Sequence, residues 1–157
     1  MAMTTEMPVW DPSEATDLRR RHRRDMVDRV LEAAAHLPDE DRLLVEAVYR
    51  DGRSVVDLAT ISGAEPRTLR RHIRRLIARV LSPRYAFVAL HAPEWSPTRR
   101  RVASACVLAG RSLREASADL SLSLHAVRRH HDAVNALYEA TVFAGRPRAA
   151  RAIGGRP

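Results

Sequence analysis

Along the chain, apolar residues fall at helical spacing and are interrupted by capping and stopping residues. Residues 1–16 hold Pro8 and Pro12 and show no periodicity, so they are expected to form a flexible lead. From Asp17 the pattern changes. Leu18, Met26, Val27, Val30, Leu31 and Ala34 recur at intervals of three and four, which predicts an amphipathic helix that Pro38 stops. A second helix follows, with Asp39, Glu40 and Asp41 in its first turn, Leu43, Leu44, Ala47 and Val48 facing inward, and Gly52 closing it. Ser54 with Asp57 three residues on resembles a capping box and opens a short helix that ends at Ser62-Gly63. Pro66 suits the first turn of a further helix whose stripe is Leu69, Ile73, Leu76, Ile77 and Val80. Ser82-Pro83 closes this block, which with the leading helix spans 17–82. Residues 83–95, including the apolar run from Tyr85 to Leu90, are expected to be a connector. Ser96-Pro97 then provides a cap and first turn for a second block, 96–143.

That second block replays the first. An offset of 58 residues aligns Gly52-Arg53-Ser54 with Gly110-Arg111-Ser112, and Arg70-Arg71-His72 with Arg128-Arg129-His130. Asp57 then meets Glu115, Leu69 meets Val127 and Val48 meets Cys106, so cap, core and charged positions all correspond. The fold class this predicts is all-α. Two three-helix blocks stand in tandem behind a leading amphipathic helix. Aromatic content of 4% agrees with an absence of sheet.

Charge adds a partner to this picture. The net charge is +8, and all 27 basic residues are arginine, whose planar fork matches phosphate oxygens and guanine edges. A polyanion is the natural partner, although arginine abundance alone also fits a GC-rich coding sequence. The 14-residue stretch 144–157 holds Arg146, Arg148, Arg151 and Arg156 without an acid and is expected to be a disordered basic tail making nonspecific electrostatic contacts. The single cysteine, Cys106, excludes an internal disulfide and fits a reducing compartment. With no apolar signal core and no run of membrane-span length, the expected location is cytoplasmic, at the nucleoid, and no membrane partner is implied.

The first block resembles region 4 of bacterial sigma factors and the helix-turn-helix regulators built on that unit. The residues that carry the resemblance are Leu37-Pro38, the acids Asp39 to Asp41, Tyr49, Gly52-Arg53-Ser54, Asp57-Leu58-Ala59, Gly63 and Thr68-Leu69-Arg70, an ungapped match over about residues 37–80. The second block matches more loosely over about 96–138. Such a resemblance implies double-stranded DNA as partner, with the third helix of each unit in the major groove. The candidate DNA contacts are Arg67, Thr68, Arg70, Arg71, Arg74 and Arg75 in the first unit and His125, Arg128 and Arg129 in the second. Physical chemistry points the same way. Ala59 is small where two helices must cross closely, Gly63 permits a tight turn, and the helix after it carries arginines around an apolar stripe.

The second unit departs from the pattern. Ser117 stands at the Ala59 position, Ser121 at the turn glycine and His131 in the inward slot of Ile73, so its third helix is expected to be less secure. The run Leu18 to Arg24 fits either phosphate contact or a solvated helix face. Trp95, aligned with Leu37, is expected to pack between the units, and Cys106 to be an inert thiol. His125, His130 and His131 lack the i, i+4 pairing of helical zinc sites, so neither metal nor cofactor is implied. No phosphate loop, acid pair or Ser/His/Asp arrangement suggests an enzyme. The leading expectation is a DNA-binding transcription regulator. The alternatives are an adaptor that binds RNA polymerase or a sigma factor through protein contacts, and a nonspecific DNA-packaging protein.

Overall fold

The computed structural model describes the backbone of residues 12–145 and the side chains of residues 21–145. Its elements, in order, are α1 (Pro12–Ala34), α2 (Asp39–Tyr49), α3 (Val55–Ser62), α4 (Pro66–Val80), α5 (Pro83–His91), a 3-10 turn at Ala92–Glu94, α6 (Pro97–Ala103) running into a wide π-type turn at Ser104–Leu108, α7 (Leu113–Leu120) and α8 (Leu124–Ala144). The fold is all-α, with no strand among the described residues. Local chemistry sets most of these boundaries. Ser54, Ser82, Ser112 and Ser123 each accept a backbone N–H of the following turn through the side-chain oxygen, at 3.1, 3.2, 3.2 and 3.1 Å, and each such cap stabilises its helix by about 1 kcal/mol. At Ser112 the box is complete, because Glu115 also accepts the Ser112 N–H at 2.7 Å.

The repeat persists in the backbone. α3 and α7 share their first and last positions at the offset of 58, as do the caps Ser54 and Ser112, the starts of α4 and α8, and the left-handed turns at Gly63 and Ser121. Turn hydrogen bonds recur in step: Arg53 N to Ala47 O and Arg111 N to Ala105 O are both 2.9 Å, and Ala64 N to Ala59 O at 3.0 Å is matched by Leu122 N to Ser117 O at 3.1 Å. The wide turn at Ser104 is itself part of the repeat, since Asp51 N reaches Glu46 O in the first block as Ala109 N reaches Ser104 O in the second.

Gly63 and Ser121 make the left-handed turn testable. At Gly63 (φ +67°) an added Cβ would meet nothing within 4 Å, so a substitution there is opposed by backbone conformation alone. Gly63→Val is expected to cost about 2 kcal/mol in a urea melt, because β-branched side chains are excluded from this region. Ser121 already occupies it at φ +53° without being glycine. Ser121→Gly should therefore stabilise the protein by about 0.5–1 kcal/mol, the relief of strain outweighing the greater unfolded-state freedom of glycine. An unchanged midpoint for both variants would show that the turn is conformationally ordinary.

Two stretches differ from the sequence-based expectation. α1 begins at Pro12, so residues 12–16 of the expected flexible lead are helical; proline lacks only an N–H that a first turn leaves unbonded, and its φ suits a helix start. The second difference is larger. The expected connector 83–95 contains α5, whose Tyr85, Val88 and, just beyond it, Ala92 are buried. These residues sit at intervals of three and four, a helical stripe too short to stand out between prolines. α5 lies in a core that also takes Val30 and Ala34 from α1, Val45 from α2, Leu76 and Val80 from α4, Ala103 from α6, Val107 and Leu108 from the wide turn, and Val134 from α8. The two blocks thus share one core. Among the described residues, Val102, Ala116 and Val127 form a smaller cluster belonging to the second block. The Tyr85 hydroxyl donates to the Ala33 carbonyl at 2.9 Å, satisfying an acceptor at the end of α1. Burial pushes the Tyr85 phenol up to about 12, with Arg79 opposing and Asp41 reinforcing the shift.

Residues 146–157, which include most of the expected basic tail, lie outside the described residues. α8 continues through Ala144, past the place where α4, its counterpart, stops.

Candidate nucleic-acid interface

α4 starts on a carboxylate. Glu65 accepts the backbone N–H of Arg67 at 3.0 Å and of Thr68 at 2.8 Å, and also the Thr68 hydroxyl at 2.9 Å. Those two backbone bonds hold its carboxyl below the usual glutamate range, with the Thr68 hydroxyl and the Arg71 charge assisting. Pro66 occupies the first turn. The stripe Ile73, Leu76 and Val80 is buried, with Leu69 and Ile77 half-buried beside it. That orientation leaves Arg67, Arg70, Arg71, Arg74 and Arg75 exposed, and among the described residues none of the five is in an ion pair. Thr68 is exposed as well, but its hydroxyl is committed to the Glu65 cap.

Three acids of α2 are held in pairs that do not involve these five arginines. Asp39 pairs with Arg42 at 2.9 Å and Glu46 with Arg50 at 3.4 Å, both within α2 or at its end. Asp41 receives Arg79 Nη at 3.1 Å and lies 2.8 Å from His72 Nε2, tying the inner side of α4 to α2. The one arginine of α4 that pairs is thus the one turned inward. Its guanidinium also lies over the turn of the second block, where a Cβ on Gly110 would run into Arg79 Nη1.

In the second block, α8 presents His125, Arg128 and Arg129 to solvent. Asp132 and Ala133 stand where α4 has Arg74 and Arg75, so this helix carries fewer positive charges and one carboxylate on the corresponding face. His131, at the position of Ile73, is half-buried and meets Arg84 of α5, whose Nη lies 2.9 Å from Nε2. A guanidinium only donates, so Nε2 accepts and the proton of a neutral ring is on Nδ1, which faces the Asp132 carboxylate at 3.7 Å. The histidine expected to weaken α8 is therefore bonded to α5. Trp95 is half-buried against the shared core and 5.9 Å from the Phe87 ring, which in turn lies 5.6 Å from Tyr138. Cys106 is half-buried, and burial raises its thiol above the usual value.

No family model, curated protein or solved structure matches the chain. Among the described residues no helix is long and apolar enough to cross a membrane.

Glu65 and the Asp41 bridge are the features around α4 that the sequence pattern does not expose. Glutamate is outside the usual set of N-cap residues, and nothing along the chain links Asp41 to Arg79. Glu65-Pro66 ahead of a basic apolar-periodic run was the available signal, an acid at a helix start beside a first-turn proline.

Proposed function

We propose that this protein is a DNA-binding transcription regulator that reads the major groove through α4, in the manner of the sigma region 4-like helix-turn-helix units its first block resembles. The observation that carries this reading is the row of five exposed arginines on α4, none of them in an ion pair among the described residues, opposite a buried apolar stripe. In the groove, side chains near the start of such a helix reach base edges and later ones reach phosphates. Arginine meets guanine O6 and N7 bidentately, and meets phosphate oxygens with the same fork. α8 has the weaker claim as a reader, because a carboxylate at Asp132 repels the phosphates that Arg74 would attract. That same substitution favours a second reading for this part of the chain, in which the α8 face meets a protein such as RNA polymerase or a sigma factor while α4 holds DNA.

The test is selection of bound duplexes from a random pool by the purified protein at stated salt. An enriched motif supports the regulator. Uniform enrichment would replace it with a nonspecific packaging role, and absence of binding would leave only the protein-contact reading.

A further inference from the structure

The repeat allows each block to act as a template for the other, and at one place the two carry opposite charge. In the first block the Asp41 carboxylate, in the first turn of α2, bonds His72 and Arg79 of α4. The offset of 58 puts Arg99 at the Asp41 position, in the first turn of α6, and His130 at the His72 position on α8. Cation therefore faces histidine where the first block sets carboxylate against histidine. Arg99 is half-buried, and its Nε is buried without a hydrogen-bond partner. His130 is also half-buried. Burial, then the charges of Arg129 and Arg99, push the His130 imidazole below its usual value. Among the described residues no carboxylate is paired with Arg99, Arg129 or His130.

We propose that Arg99, Arg129 and His130 form a binding site for a phosphate group, which supplies beside His130 the negative charge that the Asp41 carboxylate supplies beside His72 in the first block. Two guanidinium forks and an imidazole N–H suit a tetrahedral group with several acceptor oxygens, and charge-assisted bonds to phosphate are the strong ones. With no carboxylate at position 99, two guanidinium groups and an imidazole are left without an anionic partner among the described residues. Phosphate reaches such a site either as the free ion or as part of a DNA backbone. The DNA source rests on the function proposed above; the site itself does not.

The experiment follows the imidazole signals of the full chain by NMR while inorganic phosphate, and separately a short duplex, is added across a pH series. Bound phosphate favours the protonated ring, so the His130 titration should move to higher pH with either addition. Arg99→Gln should weaken inorganic phosphate binding roughly tenfold, with Arg129→Gln as an independent second variant. Arg99→Asp rebuilds the arrangement of the first block: it should move the His130 titration upward with no phosphate present and abolish the response to phosphate. A His130 signal that ignores both phosphate and duplex would overturn the site, as would an undiminished response in both glutamine variants. Response to the free ion but not to a duplex would support the site and count against the DNA source. Tight duplex binding with no movement of His130 would overturn the site and leave the DNA-reading proposal standing.

Discussion

Tyr85→Ala is expected to lower the stability of the whole protein by about 3–5 kcal/mol, the range for removing a buried aromatic ring. Tyr85 is the largest side chain that is fully buried, and its hydroxyl holds the last turn of α1 through the Ala33 carbonyl. Truncation opens a cavity in a core to which α1, α2, α4, α5, α6 and α8 all contribute. Tyr85→Phe should cost only about 1 kcal/mol, the net worth of the lost hydrogen bond. Urea unfolding followed by far-ultraviolet circular dichroism and by tryptophan fluorescence measures both. The two probes should report one shared transition in wild type and variants alike. Separate transitions would mean that each block keeps a core of its own and that α5 is the connector the sequence suggested.

That contrast shows what could be read along the chain and what could not. The boundaries of α3, α4 and α7 were legible because serine caps, Pro66 and the left-handed turns act within a few residues. The repeat was legible for the same reason, since its tripeptides sit at turns and on exposed helical faces that keep their composition. α5 was not, because a nine-residue run with Tyr85 and Val88 in step, and Ala92 just beyond it, looks alike whether it crosses solvent or fills a core, and only the surfaces packed on it, chiefly the wide turn at Ser104–Leu108 with α4 and α8, decide. Arg79 was hidden for another reason. It stands four residues after Arg75 on one basic helix, and its inward turn depends on Asp41, 38 residues earlier. The candidate contacts on α4 were correctly placed as exposed by the apolar stripe, while the commitment of the Thr68 hydroxyl to Glu65 needed the geometry of the cap.

On the preferred site found by selection, Arg67→Ala and Arg70→Ala are each expected to weaken binding by about 1–3 kcal/mol and to relax the preference at the base pair that each contacts. Arg74→Ala and Arg75→Ala should weaken all duplexes alike and reduce the salt slope by about one. Because Asp132 and Ala133 replace that second pair in α8, Arg128→Ala and Arg129→Ala should have smaller effects on sequence preference. Fluorescence anisotropy at several salt concentrations separates these patterns. If the Arg67 and Arg70 variants bind like wild type while those at Arg128 and Arg129 fail, α8 is the reading helix. If all are silent, neither helix works on DNA.

Gly52 and Gly110 hold the same turn at φ +66° and +70°, yet they are constrained differently. Around Gly52 the space for a Cβ is open, so asparagine, which tolerates left-handed backbone, is an acceptable replacement there. At Gly110 that space is taken by the Arg79 guanidinium reaching across from the first block. Any side chain would have to displace an arm that also grips Asp41. Two positions that correspond at the offset of 58 therefore differ in what a substitution meets: at Gly52 the left-handed backbone alone, at Gly110 that backbone together with the arm of Arg79.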